Sequence, residues 1–282
     1  MIKRFFKENP NLNFDEYKDK NRDIIKRYNL DTKKKIILYL MNKTEFINYT
    51  KPSLKDDYIF TNNIYLFNDK ETIVNNITSE IIILIPVWGR NKILQKCMDD
   101  LFDKGLKKKL IYIVSDDMDL DIIRKNNVYY SYSPNYPLGN KFNNMVKLIQ
   151  NIKCNYFMIL GSDDTLPYDY ISKSIYLLEN ENYSMIGTDV QIIHYGDNIY
   201  KRKYINHYNR TFGSGRIYKK EVGEFFKYNL FNSKINKSID RSITKKMKIY
   251  NLKMGTNNSN IISYYCENNN KYPITFIITF TL

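Results

Sequence analysis

Between residues 80 and 180 the chain alternates two kinds of apolar pattern. Ile81–Val87 is a continuous apolar, mostly β-branched run, the pattern of a strand buried on both faces. Asn91–Lys104 follows with Ile93, Leu94, Cys97, Met98, Leu101 and Phe102 at helical spacing, and Gly105 stands where a C-cap belongs. Leu110–Ser115 reads as a second buried strand, Val128–Tyr132 as a shorter third and Tyr156–Leu160 as a fourth. Helices are predicted over Leu138–Ile152, with Phe142, Met145, Val146, Ile149 and Ile152 on one face, and over Tyr170–Leu178. Strands alternating with helices predict a mostly parallel α/β sheet flanked by helices. In such sheets ligands lie beyond the C-terminal ends of the strands. The residues that follow each strand therefore carry the candidate chemistry.

The flanks read differently. Residues 1–79 are polar and rich in Asn and Lys, with a helical stretch near Phe14–Tyr28 and an apolar run Lys35–Leu40. Aromatic segments follow at Tyr58–Phe60 and Ile64–Phe67. No chemistry stands out there, and 1–79 is expected to be an N-terminal appendage for packing or partner binding. Beyond the α/β region, Ser184–Gly187 is strand-like, Gln191–Tyr204 reads as a hairpin around Tyr195-Gly196-Asp197-Asn198, and Asn236–Lys248 reads as a helix. The apolar C-terminal stretch Tyr272–Leu282 is expected to be a buried strand or the edge of a homodimer.

Composition narrows the classes. Of 282 residues, 43% are hydrophobic and 26% charged, values of a globular chain that exclude wholesale disorder. No apolar run approaches the ~20 residues of a membrane helix, and the N-terminus lacks the apolar core of a secretory signal. Three distant cysteines (Cys97, Cys154 and Cys266) suit a reducing compartment and show no metal spacing. A cytoplasmic protein is the expectation. The net charge is +14, but the basic residues are 35 Lys against 9 Arg and the chain has no alanine. These preferences follow A/T-rich codons. Arginine, not lysine, is the residue of planar phosphate and base recognition. An anionic substrate fits the charge, and nucleic-acid binding is not expected.

At the strand ends stand Pro86-Val87-Trp88-Gly89-Arg90, then Ser115-Asp116-Asp117, then Gly161-Ser162-Asp163-Asp164. Two pairs of adjacent carboxylates thus fall at one sheet edge. Such pairs repel unless a positive group binds them. A hard divalent cation with oxygen ligands does so, and Mg²⁺ or Mn²⁺ shares its shell between carboxylates and diphosphate. Trp88, the only tryptophan, is placed to stack on a nucleobase. Arg90 and Lys141 are candidates for phosphate or base carbonyls. Further on, Gly213-Ser214-Gly215 permits close backbone approach to a ligand, and Arg216 behind it is placed to hold a diphosphate or an acceptor sugar. No Cys/His cluster, GxxxxGK[ST], GxGxxG after the first strand or GxSxG is present. That excludes structural zinc, a P-loop, a dinucleotide dehydrogenase and a serine-nucleophile elbow.

In these motifs the chain resembles GT-A glycosyltransferases, in the broad manner of family 2. Pro86-Val87-Trp88-Gly89-Arg90 matches the family's first strand end, and Asp116 or Asp117 its nucleobase aspartate. Gly139-Asn140-Lys141-Phe142-Asn143-Asn144 matches its Gly-x-x-x-x-Asn segment. Leu160-Gly161-Ser162-Asp163-Asp164 matches its metal motif, except that many members carry aspartate where this chain has Gly161. Leu166-Pro167-Tyr168-Asp169-Tyr170 matches the continuation of that motif. The resemblance implies a GT-A, Rossmann-like domain over 80–282, with a nucleotide-sugar half at 80–190 and an acceptor half at 191–282. It also implies Mn²⁺ or Mg²⁺ on Asp163 and Asp164, with Asp163 serving the ribose too. The nucleotide contacts it implies are Pro86, Val87, Trp88, Arg90, Asp116, Asp117 and Lys141, with Gly215 and Arg216 towards the diphosphate or acceptor. Asp240 is the positional match to the family's base, with Glu221 and Glu224 as rivals. Asp189, His194 and His207 are weaker site candidates.

The implied reaction is sugar transfer from a nucleotide-sugar, UDP-sugar preferred, to a glycan or protein acceptor. Two alternatives stay open: a non-catalytic binding protein derived from the same fold, and a nucleotidyltransferase.

Overall fold

The computed structural model describes residues 60–88, 91–115, 117–195, 198–203, 211–236, 239–257 and 261–265. The expected segments Phe14–Tyr28, Lys35–Leu40 and Tyr272–Leu282 lie outside them, as do Gly89, Arg90, Asp116 and His207.

Nine strands form the main sheet: β1 (Tyr65–Asn68), β2 (Lys70–Ile73), β3 (Ile81–Pro86), β4 (Leu110–Val114), β5 (Tyr129–Tyr132), β6 (Tyr156–Ile159), β8 (Met185–Thr188), β11 (Arg216–Lys219) and β12 (Met254–Asn257). Their order is β12-β8-β11-β6-β3-β4-β5-β1-β2. β3, β4, β5 and β6 run parallel, β12 runs parallel to β8, and β11 is inserted antiparallel between β6 and β8. A second sheet, in the order β10-β9-β13-β7, joins β7 (Asp164–Thr165), β9 (Val190–Tyr195), β10 (Asn198–Lys203) and β13 (Ile261–Tyr265). β9 and β10 are the expected hairpin.

Helices cover both faces: α1 (Asn91–Asp103), α2 (Asp117–Lys125), α3 (Leu138–Leu148), α4 (Tyr170–Asn180), the short α5 (Lys220–Phe225) and α6 (Ile239–Ile249). The central strands alternate side chains between two apolar layers, as a pleated strand must. Ile82 and Leu84 of β3 join Met145 and Val146 of α3 and Ile243 of α6. Ile81, Ile83 and Ile85 join Leu94 of α1, Ile123 of α2 and Leu178 of α4. This double burial explains the uninterrupted apolar runs in the sequence. α1 ends as its sequence predicts: Gly105 takes φ +72°, and the Leu106 amide bonds the Leu101 carbonyl at 3.1 Å.

Several elements add to the predicted set, among them the short strands β7, β12 and β13. α2 separates β4 from β5, where polar residues dilute its periodicity. β11 was not anticipated as a strand, because its Arg and Lys mask a segment with buried Arg216, Ile217 and Tyr218. β1 and β2, within the expected 1–79 appendage, extend the main sheet, with Tyr65 opposite Tyr130. Glu71 fastens them there: it accepts hydrogen bonds from Arg124 Nη2 at 3.1 Å and from the Tyr132 hydroxyl at 3.1 Å. Among the described residues no helix is long and apolar enough to cross a membrane.

Candidate active site

The C-terminal ends of β3, β4 and β6 lie side by side, with Pro86 opposite Ile113 and Leu84 opposite Ile159. Register alone therefore brings the residues after these strands together. Val87 is fully buried and continues β3, its amide bonding the Ile113 carbonyl at 2.9 Å. Trp88 is half-buried, its ring edge-on to Tyr136 at 6.4 Å and 85°. Asp117 opens α2 behind β4.

Lys141, a predicted nucleotide contact, is 1% exposed. Its Nζ donates to the Val87 carbonyl at 2.6 Å, Ser115 Oγ at 2.6 Å and Asn135 Oδ1 at 3.1 Å. It thereby ties the ends of β3 and β4 to the loop before α3. The geometry makes it a positioning residue for the strand ends. Beside it, Asn144 donates to Ser133 Oγ at 3.1 Å, and Asn143 exchanges two hydrogen bonds with the backbone of Phe231. Gly139 lets the 231–236 segment cross α3: a β-carbon there would overlap the Asn232 carbonyl, and its amide bonds the Ile235 carbonyl at 2.8 Å.

After β6 the chain turns at Gly161, whose amide is held by Ser214 Oγ at 2.8 Å. A β-carbon at Gly161 would overlap Asp164 Oδ2 and stand 3.0 Å from Asp163 Oδ1. Two carboxylate oxygens thus face one point above a residue with no side chain. Asp163 is half-buried and Asp164 is 5% exposed. Their charges reach Cys97 on α1, whose thiol is pushed up first by burial, then by Asp164 and Asp163. Among the described residues no three His, Cys, Asp or Glu side chains converge on one point. A pair of hard oxygen donors fits Mg²⁺ or Mn²⁺, which completes its shell with water and diphosphate.

On the other side of the cleft, Arg216 begins β11 and is 2% exposed. Its Nε donates to Thr211 Oγ1 and the Phe212 carbonyl, both at 2.9 Å. Nη2 donates to the Thr211 carbonyl at 2.8 Å, and Nη1 to the Asp240 carbonyl at 2.9 Å. The guanidinium expected at a diphosphate or acceptor is thus a clamp on the first turn of α6. Gly215 takes φ +75°, and its carbonyl accepts from the Tyr170 hydroxyl at 2.9 Å, so it also shapes the backbone. Asp240 packs on Gly213, where a β-carbon would lie 2.7 Å from its own Cβ. No side chain among the described residues hydrogen-bonds its carboxylate. Ser214 and Gly213 make the link: the first holds Gly161, the second supports Asp240.

The rivals are placed elsewhere. Lys219 at the end of β11 pairs with Tyr156 at the start of β6, so α5 with Glu221 and Glu224 sits at the opposite sheet edge. His194 lies on β9, its pKa lowered by burial and by the charge of Lys96. Asp189 follows β8 and is half-buried.

A cavity of about 210 Å³ opens between these parts. Pro86, Phe142, Ile159, Tyr218, Phe231 and Ile239 give it apolar walls, and Gly161, Gly213, Ser214, Arg216 and Asp240 complete the lining. Neither the cavity nor the roles of Ser214, Phe142 and Phe231 were legible from the sequence, since each depends on contacts between distant segments.

Parallel strands ending in a carboxylate pair, with an inserted antiparallel β11, define a GT-A-type sugar-nucleotide fold. The sequence pattern of Glycosyl transferase family 2 matches residues 82–246, more than half of the chain, and the chain belongs to that family. No curated protein matches it in sequence. Among solved structures it is similar to TarS 1-349 of S. aureus, at 13% identity and TM-score 0.44, over 67% of this chain and 58% of that one. The complex of TarS 1-349 with UDP-GlcNAc aligns at 11% identity and TM-score 0.47, over 66% and 59%. The mannosyltransferase PcManGT from Pyrobaculum calidifontis, in complex with GDP-Man and Mn²⁺, aligns at 11% identity and TM-score 0.49, over 81% and 64%. The chain thus spans about three fifths of the length of these proteins.

Proposed function

We propose that the chain is a divalent-cation-dependent glycosyltransferase that uses a nucleotide-sugar, UDP-sugar in the first instance. The observation that supports this reading is that Gly161, which the Asp163 and Asp164 carboxylates approach, lines the same cavity as Asp240. Asp163 and Asp164 bracket Gly161, and Gly161 is joined through Ser214 and Gly213 to Asp240, whose carboxylate takes no side-chain hydrogen bond among the described residues. Trp88 stacks on the base, Asp116 and Asp117 read its edge, and Arg90 meets the phosphates. Pro86 and Val87 shape the floor. Asp163 and Asp164 would hold Mg²⁺ or Mn²⁺, which supplies Lewis-acid stabilisation to the leaving diphosphate.

Asp240 takes the proton of the acceptor hydroxyl. The freed oxygen bonds the anomeric carbon as the bond from that carbon to the diphosphate oxygen breaks. The products are the glycosylated acceptor, inverted at the anomeric carbon, and the nucleoside diphosphate. Lys141 and Arg216 act through geometry: one sets the strand ends of the donor side, the other sets Asp240.

The test is a thermal-shift titration with UDP, GDP, CMP and dTDP, with and without Mn²⁺, on wild type and Asp164→Ala. Ligand bound only by the folded state raises the melting temperature. A shift with one nucleotide that needs both Mn²⁺ and Asp164 is expected. A flat response from folded protein for all four sinks the transferase reading in favour of a binding protein that does not turn over.

A further inference from the structure

The cavity beside Asp240 has the wrong chemistry for a bare sugar. Its walls are Pro86, Phe142, Ile159, Phe231 and Ile239, with Tyr218 behind, and Phe142 and Phe231 meet edge to face at 5.3 Å. A hexose there would bury ring hydroxyls against carbon, without partners, and buried polar groups without partners are costly. The lining residues with polar side-chain atoms are Ser214, Arg216, Tyr218 and Asp240, against five that are wholly apolar. Arg216 is already engaged by Thr211, Phe212 and Asp240. A hydroxyl can therefore be received at Asp240, whereas the faces made by Pro86, Phe142, Ile159, Phe231 and Ile239 can receive only carbon. At about 210 Å³ the space is large for a core, which is normally packed like a crystal. An apolar cavity of about 150 Å³ already admits benzene.

We propose that the acceptor presents its hydroxyl on an apolar, ring-sized group, an aryl alcohol in chemical class, whose ring fills this cavity while the hydroxyl meets Asp240. The inference rests on the transferase reading, because it takes Asp240 as the base. It adds a selection rule: acceptors are sorted by the carbon body behind the hydroxyl, and polar rings are excluded by desolvation.

The experiment uses the full chain with benzyl alcohol, toluene and methyl glucoside, read by saturation-transfer NMR. The UDP/Mn²⁺ thermal shift is recorded for every variant as a separate check of the donor side. Benzyl alcohol is expected to bind wild type more tightly than toluene, and the preference is expected to vanish in Asp240→Asn. Phe231→Trp, which narrows the cavity, weakens benzyl alcohol about tenfold or more. Phe231→Ala, which widens it, shifts preference towards naphthylmethanol; if that variant is unstable, the tryptophan variant still decides.

Methyl glucoside binding as well as benzyl alcohol overturns the inference. So does silence from all three probes while the nucleotide shift is intact, which leaves the donor reading standing. Absence of any nucleotide shift in folded wild type removes the transferase reading itself, and the acceptor assignment falls with it even where benzyl alcohol binds.

Discussion

The two sides of the cleft are built by different means. On the proposed donor side, Pro86 ends β3, and Val87, Ser115 and Gly161 follow three adjacent parallel strands, so strand register places them. On the acceptor side, Asp240 stands at the start of α6, held by a guanidinium from β11 and a glycine from the 211–215 segment. Among the described residues each side has a buried cation on protein oxygens: Lys141 bonds Val87, Ser115 and Asn135, and Arg216 bonds Thr211, Phe212 and Asp240. The difference teaches where damage spreads. The proposed donor side is local to short segments, whereas the proposed base depends on Arg216 and Gly213, which come from another part of the chain.

The largest effect expected is at the base. Asp240→Asn lowers the transfer rate about 10²- to 10⁴-fold. The melting temperature and the UDP/Mn²⁺ shift stay near wild type, because among the described residues no side chain bonds the carboxylate. Initial rates and thermal shifts measured together check this. A variant that transfers at the wild-type rate removes Asp240 from the mechanism and with it the division between the two sides.

Arg216→Met comes next and separates position from chemistry. It leaves the carbonyls of Thr211 and Phe212 without the Arg216 donor and removes one of two donors from the Asp240 carbonyl, which keeps the Thr244 hydroxyl, and buried groups so weakened cost about 3 kcal/mol in sum. That corresponds to a melting temperature lower by about 6–12 °C for a domain of this size. Well below that temperature the rate still falls, while the nucleotide shift persists. Lys141→Met gives a similar loss of stability but the opposite pattern: the nucleotide shift goes first, because the strand ends it ties belong to the donor side. Identical nucleotide responses from the two variants would erase the distinction.

These residues also mark how much was legible beforehand. The central strands and α1, α3 and α4 were readable because double burial writes itself as apolar runs and helices as periodic ones. Asp163, Asp164 and Asp240 are candidates by motif position alone. Lys141 and Arg216 read as charges for phosphate or base carbonyls and for diphosphate or acceptor sugar; their burial, which a sequence does not show, is what the structure adds. β11 was hidden for the same reason: a buried Arg looks like a surface residue until its four acceptors are seen. Ser214, Phe142 and Phe231 matter only through long-range contacts, which spacing does not encode.

The glycines test the comparison more gently. Gly213→Ala puts a methyl group 2.7 Å from Asp240 Cβ, so the first turn of α6 must move. A cost of about 1–3 kcal/mol is expected, with a lower turnover rate and an unchanged nucleotide shift. Gly161→Ala meets the outer oxygen of Asp164 instead, the end of a side chain that can rotate away. Its melting temperature is expected to stay close to wild type while more Mn²⁺ is needed to produce the nucleotide shift. Equal sensitivity of the Mn²⁺ requirement in both variants would count against a local donor site.

The smallest effect reports how the second sheet meets the donor side. His194 on β9 has its pKa lowered, first by burial and then by the charge of Lys96 on α1. The folded pKa therefore lies below the ordinary 6.5. Between the two values the unfolded chain carries a proton that the folded chain lacks, so stability rises with pH through that window. The contribution is full above pH 6.5 and is lost as the pH falls through the folded pKa. His194 is partly exposed, and solvent screening keeps the change small. Melting temperature followed from neutral pH downward should fall less steeply in His194→Asn than in wild type. Lys96→Met removes only the lesser, electrostatic share and should give an intermediate slope. A slope in Lys96→Met equal to wild type would mean that burial alone sets His194 and that α1 and β9 do not couple through charge.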